Sequence, residues 1–284
     1  CCTRSRRRAG VDKELLRQLV VQRPCGLLTD IDGTISPIAP TPHEARVSPL
    51  ARAALQRLAR QLDLVAVISG RAAADAAALV GLPELLYVGN HGLERAHGDR
   101  VEPVAEATAY TAAIDAVLHA VQERVVLPGV LFENKGVTAA IHYRLAEQPD
   151  QAERLLGEIL QELVALHGLL LTPGRMVWEL RPPLMIDKGT VARRLVEEFA
   201  LRSVIFLGDD HTDADAFRVL RELRDQSICA TLSIGVAGAE TPAVVRELAD
   251  VLVAGVAGVE RLLVQIEAIL AETTSRAEHT PKDG

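Results

Sequence analysis

Uninterrupted apolar runs of four or five residues, each closed by a polar cluster, set the rhythm of this chain. Residues 25–28, 64–68 and 204–207 are such runs. Their length and aliphatic, partly β-branched content read as strands buried on both faces, as in a parallel sheet covered by helices. Between them the apolar period lengthens to that of a helix. Ser48-Pro49 opens a stripe of Leu50, Leu55, Leu58 and Leu62, and Asp187 precedes Val191, Leu195 and Val196. Asp213 opens a segment carrying Phe217, Leu220 and Leu223, and two last helices start at Thr241-Pro242 and near Gly258.

One interval breaks this alternation. Ser69 and Lys188 stand 119 positions apart, far more than one crossover needs. Inside that gap, residues 130–133 and 137–143 flank Asn134-Lys135-Gly136, and 169–171 and 176–180 flank Thr172-Pro173-Gly174-Arg175. Both read as β-hairpins, with a helix over 150–167 between them. The pattern predicts an α/β protein, a Rossmann-like parallel-sheet core with an inserted α+β cap domain. The expected boundaries are a flexible basic N-terminal tail over 1–20, a discontinuous core over 21–102 and 181–284, and the cap over 103–180.

The polar clusters fall at strand ends or helix starts. The first strand runs into Thr29-Asp30-Ile31-Asp32-Gly33-Thr34. Residues i and i+2 of an extended segment point the same way, so Asp30 and Asp32 aim two carboxylates into one crevice. In open α/β sheets, ligands bind beyond the carboxyl ends of the strands. Two adjacent carboxylates repel, and so call for a cation, a proton or a catalytic task. The second strand ends in Ser69-Gly70-Arg71, Asp187-Lys188-Gly189 precedes a helix, and the later strand runs into Gly208-Asp209-Asp210-His211-Thr212-Asp213. Together these supply two acids, a hydroxyl donor, a cation and a second acidic cluster, an inventory suited to Mg²⁺ binding and phosphoryl transfer.

With these four motifs in order, the chain resembles the haloacid dehalogenase-like superfamily of aspartate-nucleophile phosphatases. The resemblance implies Asp30 as nucleophile and Asp32 as general acid and base. Ser69 and Lys188 would bind the phosphoryl oxygens. Mg²⁺ would be held by the Asp30 carboxylate, the Asp32 backbone carbonyl and Asp209, with Asp210 and Asp213 orienting ligands or waters. Further strings narrow the likeness: Gly89-Asn90-His91-Gly92, Glu133-Asn134-Lys135-Gly136, His142-Tyr143-Arg144 and Glu179-Leu180-Arg181-Pro182. The full series resembles the trehalose-6-phosphate phosphatase family. That likeness implies hydrolysis of trehalose 6-phosphate through an aspartyl-phosphate, the last step of trehalose biosynthesis. Glu133, Lys135 and Glu179 would grip sugar hydroxyls, with Arg71, Asn90 and His91 near the core–cap seam as further substrate contacts. Ala214 departs from the pattern, since the family usually carries Glu there. The rival expectations are another sugar phosphatase of the superfamily, a phosphomutase, and a catalytically idle sugar-phosphate-binding regulator. Taken singly, Glu133 and Glu179 read equally well as exposed strand residues paired with Lys135, Arg175 or Arg181.

Composition changes this picture only at its edges. The 284 residues are 49% hydrophobic, 3% aromatic and 24% charged, with a net charge of −7, so the core is aliphatic and nucleic acid or an anionic membrane is an unsuitable partner. No apolar run approaches the roughly 20 residues of a membrane span. Cys1, Cys2, Cys25 and Cys229 are poorly spaced for a disulfide scaffold, and read as thiols in a reducing cytoplasm. The expected partners are a small sugar phosphate and an associated trehalose-6-phosphate synthase.

Overall fold

The structure, a computed structural model, describes residues 11–98, 100–239 and 241–278. Its main sheet has eight strands: β1 (Cys25–Thr29), β2 (Leu64–Ile68), β3 (Leu86–Gly89), β4 (Glu94–His97), β5 (Arg100–Pro103), β10 (Ser203–Gly208), β11 (Ala230–Ala237) and β12 (Val251–Ala254). They run in the order β12-β11-β10-β1-β2-β3-β4-β5. The first six in that order are parallel, and β4 and β5 extend the edge antiparallel. The sequence predicts a parallel-sheet core without these two edge strands. The two added strands are short, and β5 is exposed along its length, so neither carries the apolar run that marks a buried strand.

Successive residues of each central strand feed opposite faces. Leu27, Val65, Val67, Ile205 and Leu207 pack with α1 (Lys13–Val20), α2 (Pro49–Ala59), α3 (Ala73–Val80) and α10 (Gly255–Glu278). Leu28, Ala66, Ile68, Val204 and Phe206 pack with α7 (Lys188–Glu198), α8 (His211–Asp225) and α9 (Ala243–Leu248). Phe206 and Phe217 meet edge to face, with ring centroids 5.7 Å apart, the arrangement favoured by the ring quadrupole. Ala214 is fully buried in this second layer.

A second, four-stranded antiparallel sheet has the order β6-β7-β9-β8, from β6 (Leu131–Asn134), β7 (Ala139–His142), β8 (Leu170–Gly174) and β9 (Val177–Arg181). It is backed by α5 (Thr111–Arg124) and α6 (Pro149–His167) around Ile114, Val121, Leu156, Leu160 and Leu180. The short α4 (Ala105–Thr108) leads into this layer, and Ala107 packs with Leu93, Val137 and Ile186 where the two layers meet.

Three expectations need correction. Residues 13–20 are not tail but helix α1, capped by Asp12 and buried through Leu16, Leu19 and Val20. Glu272 of α10 pairs with both Lys13 and Arg17, each at 2.8 Å, and Ser203 Oγ donates to the Leu19 carbonyl at 2.7 Å. Residues 1–10 lie outside the described residues. The buried stripe of α2 is Ala51, Ala54, Leu55 and Leu58, which leaves Leu50 exposed one position out of phase. Helix α8 starts at His211 rather than Asp213, because Asp210 is its N-cap and Asp213 closes a capping box. Among the described residues no helix is long and apolar enough to cross a membrane, and Cys25 and Cys229 are buried free thiols.

If α1 is part of the folded core, Leu16→Ala should destabilise the protein by about 2–5 kcal/mol. Denaturant titration reads this directly, and an unchanged midpoint would return α1 to the tail.

Candidate active site

Strand order explains why residues far apart in sequence meet. β10, β1, β2 and β3 are consecutive and parallel, so their carboxyl ends form one rim. That rim carries Asp209, Asp30, Ser69 and Asn90. It is also where the chain's crossovers diverge, outward through β2 and β3 on one side and through β11 and β12 on the other. Such a switch point leaves a crevice. The Asp30 N–H donates to the Leu207 carbonyl at 2.9 Å, and the Ser69 N–H to the Val88 carbonyl at 2.9 Å, which fixes both loops to neighbouring strands.

Lys188 reaches the rim from the first turn of α7. Asp187 caps that helix and forms a capping box with Thr190. The Lys188 ammonium is 2.9 Å from Asp30 Oδ1 and 2.7 Å from Asp213 Oδ1, and its side chain is 2% exposed. Burial alone would lower its pKa, but the charges of Asp213 and Asp30 outweigh this and raise it above the ordinary lysine value. Lys188 is thus a fixed cation.

Asp30, Asp209 and Asp213 bring carboxylate oxygens within 4.8 Å of one another, all three buried. Burial, joined by Asp213, Asp209 and Asp32, raises the Asp30 pKa well above the carboxylate range, although Lys188 opposes it. Burial and Asp213 likewise lift Asp209 to about 7, against Arg175. The protein's own cations therefore do not neutralise this cluster, and its donors are hard oxygens of the kind that bind Mg²⁺ or Ca²⁺. A cradle accompanies them. Gly33 has φ +86, and a Cβ there would lie 2.2 Å from Asp209 Oδ2, so only glycine lets the Asp32–Thr34 turn approach that carboxylate. The three residues differ in spare capacity. Asp213 Oδ2 already accepts the N–H groups of Asp209 (2.9 Å) and Asp210 (3.0 Å), and its Oδ1 accepts from Lys188. Asp213 therefore braces the loop, while Asp30 and Asp209 have oxygens to offer an ion. The group fits a divalent cation.

A cavity of about 700 Å³ opens over this cluster, lined among others by Asp30, Asp32, Ser69, Arg71, His91, Glu133, Lys135, Glu179, Lys188 and Asp210. All are residues singled out by the sequence. Asp32 is held by Arg71 through two bonds of 2.7 and 2.8 Å. On the opposite wall, Glu179 pairs with His91 at 3.1 Å and Lys135 at 3.4 Å, and Glu133 with His142 at 2.8 Å. Burial disfavours the Glu179 carboxylate, but His91 and Lys135 more than offset it and hold its pKa low. Burial lowers the His91 pKa, and since a carboxylate only accepts, His91 Nε2–H donates to Glu179. Glu133 and Glu179 are partly buried cavity residues rather than exposed strand positions; of the partners expected of exposed strand residues, Glu179 meets Lys135, and no ion pair joins either glutamate to Arg175 or Arg181.

Asn90, Asp209 and Asp213 are the exceptions: all three are buried and off the cavity wall, the two aspartates belonging to the carboxylate cluster. The Asn90 amide donates to the Lys135 carbonyl at 3.2 Å, accepts from Thr138 Oγ1 at 2.6 Å and also bonds the Glu94 side chain. The substrate contact expected of Asn90 gives way to this.

Several cavity groups carry no site role in the sequence pattern. Arg144, Arg175 and Arg181 line it, with His142 and His211. Arg175, at the tip of the β8–β9 hairpin, reaches Asp209 at 3.3 Å and Asp210 at 3.8 Å. Thr34 Oγ1 lies 3.3 Å from Asp209 Oδ1. The sequence holds one signal for the arginines, their recurrence on both hairpins beside Glu133 and Glu179.

The family model for trehalose-phosphatase matches residues 28–241. The trehalose-phosphate phosphatase of Mycobacterium marinum (strain ATCC BAA-535 / M) is 38% identical over 208 residues, covering 70% of this chain and 52% of that protein. The probable trehalose-phosphate phosphatase H of Arabidopsis thaliana is 32% identical over 216 residues, covering 70% and 61%. The C-terminal domain of the C. albicans trehalose-6-phosphate phosphatase superposes with a TM-score of 0.73 at 23% identity, over 93% of this chain and 99% of that one. This chain spans about half the length of the mycobacterial relatives it matches. With the family model covering most of the chain and the fold in agreement, the chain belongs to the trehalose-phosphatase family.

Proposed function

We propose that this chain hydrolyses trehalose 6-phosphate to trehalose and phosphate, with Mg²⁺, through a phosphoryl group carried on Asp30. The observation that carries the reading is the meeting of Asp30, Ser69 and Lys188 on one cavity, with Asp209 clustered beside Asp30, and a far wall that bears Glu133, Lys135 and Glu179.

A carboxylate oxygen of Asp30 attacks phosphorus while the bond to the sugar's 6-oxygen breaks. Asp32 gives that oxygen a proton. It then takes one from the water that cleaves the aspartyl-phosphate, which splits one difficult displacement into two. Arg71 grips Asp32 with two bonds in this state, so delivering the proton requires Arg71 to yield at least one. The Ser69 hydroxyl and the Lys188 ammonium hold the equatorial oxygens, where charge concentrates in the transition state. Asp30, the Asp32 carbonyl and Asp209 would hold Mg²⁺, and Asp213 and Asp210 would orient that loop. When bound, the cation supplies the positive charge that keeps Asp30 ionised beside a phosphate.

We assign the two sheets different tasks. The larger, with its helices, carries the chemistry. The smaller, within 103–180, acts as a cap whose Glu133, Lys135 and Glu179 meet sugar hydroxyls. Paired charged groups suit a polyol, because each hydroxyl both donates and accepts. An idle binding module would have no use for both Asp30 and Asp32, nor for a buried Lys188 between two carboxylates.

Phosphate release should be far faster from trehalose 6-phosphate than from glucose 6-phosphate or sucrose 6-phosphate, and should stop with a chelator and resume with Mg²⁺. Equal rates across that panel would reduce the reading to a general sugar phosphatase. Asp30→Asn should abolish turnover while substrate still binds by calorimetry, and an unchanged rate would remove Asp30 as nucleophile. Lys188→Arg should lower kcat by about 100-fold or more, since a planar fork cannot replace a compact ammonium in a fully buried site. Near-normal kcat in that variant would show that charge alone suffices.

A further inference from the structure

Asn90, His91 and Gly92 form a left-handed turn, with φ of 49°, 56° and 115°. Two consecutive non-glycine residues in this region are disfavoured by sterics. Such a turn persists only when its surroundings over-determine it. Here they do so from two sides. On the core side, the Asn90 N–H donates to the Arg71 carbonyl at 2.8 Å and the His91 N–H to the Ser69 carbonyl at 2.9 Å. On the cap side, the Asn90 amide binds Thr138 and the Lys135 carbonyl, and His91 binds Glu179.

The orientation of that amide is fixed by chemistry. A carbonyl can only accept, so Nδ2 must face Lys135, and Oδ1 then takes the Thr138 hydroxyl proton. Lys135 is held at both ends of its residue: its N–H donates to the Thr138 carbonyl at 2.9 Å, and its carbonyl accepts from Asn90. Its ammonium is thereby directed to the Gly70 carbonyl at 3.0 Å and to Glu179. Thr138 is 4% exposed and, like Asn90, is not on the cavity wall.

We propose that Asn90 and Thr138 are positioning residues. Their shared hydrogen bond registers the β6–β7 turn, and with it Lys135, against the Ser69–Arg71 loop, so that the sugar-gripping wall closes at the correct height above the phosphate site. The inference rests on the proposed function, because it assigns Lys135 to the sugar. It requires the bond to govern disaccharide recognition while leaving phosphoryl chemistry alone.

Thr138→Val removes the hydroxyl at nearly constant volume. KM for trehalose 6-phosphate should rise about 10–100-fold, the range expected for one buried hydrogen bond with its partner left unpaired. Turnover of p-nitrophenyl phosphate, which has no sugar to grip, should stay within about twofold of the unsubstituted protein, and Thr138→Ser should restore most of the lost affinity. Asn90→Gly relieves the left-handed strain at that one position and removes the amide, so it tests the same contact from the other side and should show the same rise in KM. An unchanged KM in Thr138→Val or Asn90→Gly would overturn the proposal. So would an equal loss on both phosphate esters in Thr138→Val, which would make the contact merely structural. If the unsubstituted protein itself shows no preference for trehalose 6-phosphate, the functional reading fails first.

Discussion

A single buried ammonium, Lys188 between Asp30 and Asp213, is the contact on which the site depends. Charges removed from water are costly unless well paired, and here the pairing is also an architectural statement. Asp30 leaves the end of β1, Asp213 belongs to the first turn of α8, and Lys188 opens α7. The helices α7 and α8 lie close because residue 189 is glycine; a Cβ there would stand 2.7 Å from the Asp215 carbonyl. Moving any one of the three elements would strand a charge. The network also defines what is missing from it. One ammonium, assisted by Arg175 at its margin, faces three clustered carboxylates, and burial together with their mutual repulsion raises Asp30 and Asp209, an arrangement that fits the divalent cation of the proposed function.

Much of this was legible in the sequence because a sheet buried on both faces leaves a simple trace. Apolar runs such as Leu64–Ile68 mark the central strands, and the polar residues that close each run must lie at the rim. Asp30, Ser69 and Asp209 could be placed for that reason. β4 and β5 were not legible, since a half-exposed edge strand has no such run. Helix α1 was obscured by the basic segment preceding it, although Leu16, Leu19 and Val20 recur at helical spacing. Arg175 was harder. A charged residue at a hairpin tip normally faces solvent, and only the height of the second sheet over the rim turns it toward Asp209. The role of Asn90 lay beyond reach altogether, because it depends on a backbone conformation that no spacing encodes.

One compositional feature bears on the site from another direction. Only four of the chain's 31 basic residues are lysines: Lys13, Lys135, Lys188 and Lys282. Most of the chain's ion pairs use arginine, although the exposed Lys13–Glu272 pair uses lysine. Two of the four lysines line the cavity. An ammonium offers three donors around a point charge, whereas a guanidinium is a plane. Lys188 must satisfy Asp30 and Asp213 on different sides in a closed space, and Lys135 bridges the Gly70 carbonyl and Glu179. Both tasks call for a compact centre, which arginine does not provide.

On the proposed function, the pairing of Glu133, Lys135 and Glu179 also limits how a sugar phosphate would be held. Glu179 already has His91 and Lys135, and Glu133 has His142. Under the proposed function, sugar hydroxyls would exchange with these partners at Glu179 and use the spare acceptor capacity of Glu133, whose bond to His142 occupies Oε2 alone. The net gain per contact is the small difference between two good hydrogen bonds, as in any exchange of bonded groups. Such a wall adds little affinity for sugars in general. A polyol whose hydroxyls match the exchanged geometry loses nothing, while one that displaces a partner without replacing it leaves a buried charge unpaired, a far larger penalty. Selectivity then arises from the cost of misfit, and that cost is only as sharp as the registry between the two sheets. The strained turn at Asn90 and His91 lies at this boundary, where it ties the β6–β7 turn to the Ser69–Arg71 loop.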